Sequence, residues 1–359
     1  MNPYGDLDDN HFWNRQVGGK QPEAIEYDPA PKFRFDIEKD IFATAGSCFA
    51  QHFARELVRR GGQYLVAERA HPLVARFDHG YGVFSARYGN IYTTRQLYDL
   101  LSQATEQRET IYDIGRRKDG KFVDLLRPGA VPRGFCSVVE AKADRIYHLS
   151  KVISAIQAAS VFVFTLGLTE VWENTVRDYV YPLCPGTLAG NFDSQKHQFA
   201  NHSFQQVETY LQKSLEILWS INPRLKVLLT VSPVMLVATY EARGAVQSSI
   251  ASKSILRAVA DASVRANQSV DYFPSYEIIV GSQASGKFFR DGARDVADAG
   301  VNCVMDYFFR SRMAVEGTTK SQASTEEEAK ADLVQQNTDQ EIKELFQVEC
   351  DELILDRKL

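Results

Sequence analysis

Residues 41–62 read IFATAGSCFAQHFARELVRRGG. An apolar run, IFATA, ends at Gly46. Ser47 and Cys48 follow, and the next twelve residues repeat their apolar positions at helical spacing as far as the glycine pair. This is the pattern of a buried strand that hands over to an amphipathic helix, closed by Gly61. Two further runs, SVFVFTLG (160–167) and LKVLLTVSP (225–233), are equally apolar. Helical stretches separate them: TTRQLYDLLSQA with Thr93 or Thr94 as a cap, DRIYHLSKVISAIQAA, and SFQQVETYLQKSLEILWSI. The last keeps Val207, Tyr210, Leu211, Leu215, Leu218 and Trp219 on one face. Strands that are apolar on both sides and alternate with helices predict an α/β fold: a parallel sheet covered on both faces, with ligands at the carboxyl ends of the strands. Farther on, SKSILRAVADASVRAN and DAGVNCVMDYFFR read as helices and VDYFPSYEIIV as an extended segment.

The 359 residues suffice for one large domain or two small ones. The expected organisation is an irregular arm over 1–40, an α/β domain over 41–313, and an acidic linker with an amphipathic helix over 314–359. That helix carries Ile342, Leu345, Phe346 and Leu353. The net charge of −5 is uneven. From Ser311 onward 12 acids face 6 bases, and the remaining 34 acids and 35 bases nearly cancel. No basic stripe exists to neutralise phosphates, so nucleic acid is not an expected partner, whereas the acidic tail could meet a protein. No run reaches the roughly 18 apolar residues of a membrane helix. The polar, acidic start and five scattered cysteines outside any CxxC pair predict a cytoplasmic protein without disulfides, cysteine-bound metal or other cofactor. A Walker A loop, GxGxxG, HExxH and GxSxG are all missing, against nucleotide-dependent, zinc-peptidase and lipase-like chemistry.

Ser47 has two readings. It is a helix cap, or it is a nucleophile held where backbone N–H groups and the helix dipole favour an oxyanion. Cys48 is the rival nucleophile, with a buried structural thiol as its alternative.

The blocks AGSCFAQHFARELVRRGG, FSARYGNIYTTRQLYDLL, FTLGLTEVW, YPLCPGT, VSPVMLVATY, SKSILRAVA and DYFPSYEII together resemble the GSCFA family, over residues from about 10 to about 310. That family is grouped with the SGNH (GDSL-like) hydrolases, which have a flavodoxin-like three-layer α/β/α sheet and cleave or transfer ester-linked acyl groups, often acetyl groups on carbohydrates. The resemblance implies an esterase or O-acyltransferase acting on a small-molecule or carbohydrate-type ester, with Ser47 as nucleophile. Gly89 and Asn90 match the first oxyanion block and Gly167 the next. Thr169, followed by Glu170, stands where that block usually has asparagine. The general base is expected in an Asp-x-x-His motif before the last helix, but the corresponding FFRDGARDVADAGVNCVM holds Asp291, Arg294 and Asp295 and no histidine. Three accounts remain. His197, His202, His71 or His79 reaches in from elsewhere; Asp295 or Glu170 serves as a carboxylate base; or the site binds without turnover, a degenerate scaffold.

Overall fold

The structure, a computed structural model, describes residues 2–70, 80–313 and 355, the side chains of Cys48 and Phe49 excepted. The expected acidic linker and tail helix, together with His71 and His79, lie outside the described residues.

The chain enters through a one-turn helix, α1 (Trp13–Gln16), and then forms β1 (Ile41–Gly46), α2 (Cys48–Arg59) and the short β2 (Gln63–Tyr64). After α3 (Thr94–Ala104) come a hairpin, β3 (Ile114–Arg116) and β4 (Phe122–Asp124), then α4 (Val138–Ala158) and β5 (Val161–Leu166). Three antiparallel strands follow: β6 (Glu170–Asn174), β7 (Tyr179–Tyr181) and β8 (His197–Asn201). The chain continues through α5 (Phe204–Ile221), β9 (Lys226–Val231), α6 (Ala245–Ala266), β10 (Val270–Tyr272), α7 (Ser275–Val280) and α8 (Asp298–Arg312).

The central sheet has the order β10-β9-β5-β1-β2, and every pairing in it is parallel. Numbered by their sequence within this sheet, the strands run 2-1-3-4-5, the flavodoxin-like order. The three apolar runs are its three central strands. One face packs Phe164 of β5 with Leu97, Leu149, Leu215 and Val259 from α3, α4, α5 and α6 into a single core. The other face packs Phe42, Phe53, Phe273 and Phe308 against α2, α7 and α8. The layers are therefore α/β/α. The N-terminal arm closes the second face. Phe35 is fully buried and its N–H donates to Arg312 O at 2.7 Å, while the buried Arg312 guanidinium pairs with Asp28 and Asp271.

Two segments differ from their sequence reading. VDYFPSYEIIV is not extended throughout: β10 ends at Tyr272, and α7 begins at Ser275 after Pro274. The β-branched Ile278 and Ile279 suggested a strand, but both are buried on a helix face. The helix of SKSILRAVA starts seven residues earlier than the sequence suggests, at Ala245. Its serine-rich first turns look like a loop, because serine competes for backbone bonds. Here their hydroxyls accept from outside the helix, Ser249 from Leu236 N and Ser252 from Thr169 N.

The β1–β5 pair leaves no space at its end. Gly46 faces Thr165, has φ +142°, and a Cβ there would stand 2.7 Å from Thr165 Cβ and 2.8 Å from Thr165 O. Gly61, after α2, also has positive φ, but around it there is open space. Gly46→Ala is therefore expected to lose about 2–4 kcal/mol of stability, and Gly61→Ala about 1 kcal/mol. Urea unfolding of the two variants measures the difference; equal losses would show that the close approach is not rigid.

Candidate functional site at the sheet switch point

In a 2-1-3-4-5 sheet the strand order reverses between the first and third strands, and the crevice outside their carboxyl ends takes the ligand. Those strands are β1 and β5, so the residue after Gly46 faces that crevice. It is Ser47. By backbone it is the N-cap of α2, with φ −86° and ψ −167°. By hydrogen bonding it is not a cap. Thr93, Ser137 and Ser203 each accept from the backbone N–H three residues on, at the starts of α3, α4 and α5. The Ser47 side chain makes no such bond. It is 4 % exposed, and its Oγ has no hydrogen-bond partner among the described residues.

The loop that carries Asn90 reaches the same strand end. The loop from Gly89 to Tyr92 is tied to the end of β1 by Ile91 N donating to Gly46 O at 2.8 Å. Gln51, one turn into α2, donates from Nε2 to Asn90 Oδ1 at 3.2 Å. That bond orients the Asn90 amide by fixing its oxygen toward α2. Gly89 supplies the turn, with φ +69°.

Gly167 adjoins the same edge, but its N–H is occupied. It donates to Tyr92 O at 3.0 Å, and a Cβ there would lie 2.9 Å from that oxygen. Gly167 serves close approach rather than oxyanion donation. Its carbonyl accepts from Lys253 Nζ at 2.7 Å, and Lys253 is a buried lysine on α6 that sequence reasoning did not single out. Thr169 is fully buried, and its hydroxyl donates to Asn201 Oδ1 at 2.6 Å, so that hydrogen is not aimed at a ligand. Asn201 in turn donates to Glu241 at 2.8 Å.

The five candidate catalytic residues are not gathered in one place. Glu170 accepts from the Thr239 hydroxyl at 2.7 Å and lines a cavity of about 170 Å³ with Trp172, Phe199 and Tyr240; Leu355 lines it too. Burial pushes its carboxyl above the usual range. His197 accepts from Asp193 N through Nδ1 and packs on Tyr181 in the antiparallel sheet. His202 pairs with Glu173 at 3.0 Å and packs against Tyr210. Asp295 sits on a turn, half exposed, paired with its neighbour Arg294. None of the four is a hydrogen-bond partner of Ser47. His52, on α2, is a further imidazole that the sequence reading passed over. It contacts Arg55 at 3.2 Å and feels the charges of Asp298 and Arg290, from the segment where the resemblance expects the base. Burial, helped by the Arg55 charge, holds it down to about 4, so it is neutral at pH 7. Among the described residues no group of three or more His, Cys, Asp or Glu side chains could hold a metal ion, and no helix is long and apolar enough to cross a membrane.

The loop that carries Asn90 is held by a buried ionic cluster. Glu68 accepts from Arg87 N at 2.7 Å, from Arg87 Nε at 2.8 Å and from His148 Nδ1 at 2.8 Å. Arg87 and Arg127 also reach Asp144 at the start of α4. Burial works to raise the Glu68 carboxyl, but the His148 hydrogen bond and the adjacent cations outweigh it and hold it well below the usual carboxylate range. Arg87 and Arg127 are the cations that persist at neutral pH. His148 itself is held down to about 4, by burial first and the Arg127 charge second.

Fold and site thus define a doubly wound α/β protein with a serine at its switch point that is unengaged among the described residues. The chain belongs to the GSCFA family, whose family model matches residues 41–308. No curated protein and no solved structure matches it.

The cluster has a pH signature. Histidine titrates near 6.5 when unfolded. Between pH 6.5 and 4 the unfolded chain binds a proton at position 148 that the folded chain refuses, so stability falls as pH falls through that window. Full traversal is worth about 3 kcal/mol for this group. Unfolding at pH 7 and pH 4.5 is expected to show a smaller pH-dependent loss for His148→Gln than for the parent chain; identical losses would remove His148 as the cause.

Proposed function

We propose that this protein is an SGNH-like esterase or O-acyltransferase acting on an acetyl-type ester of a carbohydrate-like substrate, with Ser47 as the group that accepts the acyl chain. One observation carries the reading: a hydroxyl buried at the switch point of a 2-1-3-4-5 sheet makes neither a cap nor any other hydrogen bond among the described residues. A buried polar group without a partner costs about 1–3 kcal/mol, so a serine kept in that state has a use outside the fold's own bonding. In the reaction the Ser47 oxygen attacks the acyl carbonyl and its proton passes to the departing alcohol or sugar oxygen; water or a second hydroxyl then takes the acyl group and gives its proton back to the serine oxygen. In this reading the Asn90 amide and the N-terminus of α2 meet the developing oxyanion.

A second reading stands beside it, that of a degenerate site which binds such a substrate without turning it over. It is favoured by the same hydroxyl, because among the described residues no base lies within hydrogen-bond distance of it and serine attack needs one. Asp295, in the stretch where the resemblance places the base, is on an exposed turn.

Hydrolysis of 4-nitrophenyl acetate separates the two. The enzymatic reading expects turnover above the buffer rate, lost at least tenfold in Ser47→Ala with an unchanged melting curve. Turnover that survives Ser47→Ala contradicts the nucleophile assignment, and no turnover by the parent chain favours the binding reading.

A further inference from the structure

The cavity beside Glu170 adjoins the serine crevice through the turn that leaves β5. Leu168 and Leu236 line it, and both pack with Tyr92, the residue whose carbonyl holds Gly167. One side of it is aromatic: Trp172 from β6, Phe199 from β8 and Tyr240 from the loop after β9. Their ring centroids lie 5.0 Å apart for Trp172 and Tyr240, 5.7 Å for Trp172 and Phe199, and 5.4 Å for Phe199 and Tyr240. At these separations the rings touch one another. A cage for an ammonium group needs its rings to stand apart, with the cation between their faces. These rings instead pack as one cluster, inclined at 64° for Trp172 and Tyr240, 64° for Trp172 and Phe199 and 52° for Phe199 and Tyr240, with Tyr240 at its open end, 69 % exposed.

The polar group on the cavity is a carboxylate. Glu170 accepts from the Thr239 hydroxyl, and a carboxylate offers about four acceptor positions, so capacity remains for hydroxyl donors. Glu241 adds a second acid nearby, partnered by Asn201 and within 4.0 Å of Arg243. An acidic rim opposes an anionic ligand. The volume, about 170 Å³, is below the roughly 300–1,000 Å³ of pockets that take drug-sized molecules, which suits a single ring.

We infer that this cavity is a subsite for one ring of a neutral sugar, its C–H face laid against the Trp172–Phe199–Tyr240 cluster and its hydroxyls donating to Glu170. The inference rests on the proposed carbohydrate ester for its ligand class, but not on whether Ser47 turns that ester over. It separates recognition, at β6, β8 and the β9 loop, from chemistry, at β1.

Calorimetric titration of the full chain tests it, with cellotetraose and the N-acetylglucosamine tetramer as neutral probes, tetragalacturonate as the anionic one and choline as the cationic one. At least one neutral probe is expected to bind. Tyr240→Ala, at an exposed position the fold does not need, is expected to weaken that binding at least fivefold, as is Glu170→Gln, while Ser47→Ala leaves it within twofold. Binding of choline or tetragalacturonate in preference to both neutral probes overturns the inference. So does binding indifferent to both variants, or no binding of either neutral probe. Sugar binding without ester turnover would sink the enzymatic reading alone, and ester turnover without sugar binding would sink the subsite alone.

Discussion

The parallel pairing of β1 with β5 is the constraint on which the rest depends. Five residue pairs run in register from Phe42–Val161 to Gly46–Thr165. Because both strands are interior, their side chains go to two cores at once, which is why both read as unbroken apolar runs. Because the strand order reverses between them, no third strand or crossover covers their carboxyl ends. Gly46 lets the chain turn away there without colliding with Thr165, and the turn delivers Ser47 to the crevice. Moving the register by one residue would exchange the two faces of β1 and carry Ser47 off the edge.

Around that end the chain spends much of its buried polar chemistry on placing loops. Ile91 is tied to Gly46, Gly167 to Tyr92 and Lys253, and Thr169 to Ser252 and Asn201. The Glu68–Arg87–His148 cluster secures the loop that carries Asn90. Removing one partner from such a buried network leaves an uncompensated charge, which costs more than the intact network contributes. Among the described residues the Ser47 hydroxyl takes no part in these bonds, and neither does that of Thr165, which faces Gly46 across the strand pair.

The central strands and most of the helices were legible because burial on both sides of a strand, or one side of a helix, leaves a local trace. A capping threonine at 93 or 94 was legible for the same reason, and it is Thr93, whose partner is three residues away. What was not legible depends on distant partners. The first turns of α6 look like a loop until Leu236 and Thr169 supply donors to their serines. Lys253 reads as a solvent-facing charge until Gly167 is placed beside it. The candidate bases show the same limit. His197 and His202 followed the third block in sequence, yet β8 and the residue after it commit them to Asp193, Tyr181 and Glu173. Neither Thr169 nor Glu170 carried any sequence sign that its partner would be Asn201 or Thr239.

The account turns on one atom, Ser47 Oγ, and on whether its freedom from the fold's hydrogen bonds is matched by reactivity. Incubating the full chain with a fluorophosphonate and mapping the adduct by mass spectrometry tests this most directly, because such reagents phosphonylate an activated serine oxygen with loss of fluoride. The account predicts a single stoichiometric adduct on the peptide containing Ser47, absent in Ser47→Ala. An adduct at any other residue, or an unmodified Ser47 in a folded chain, would contradict it.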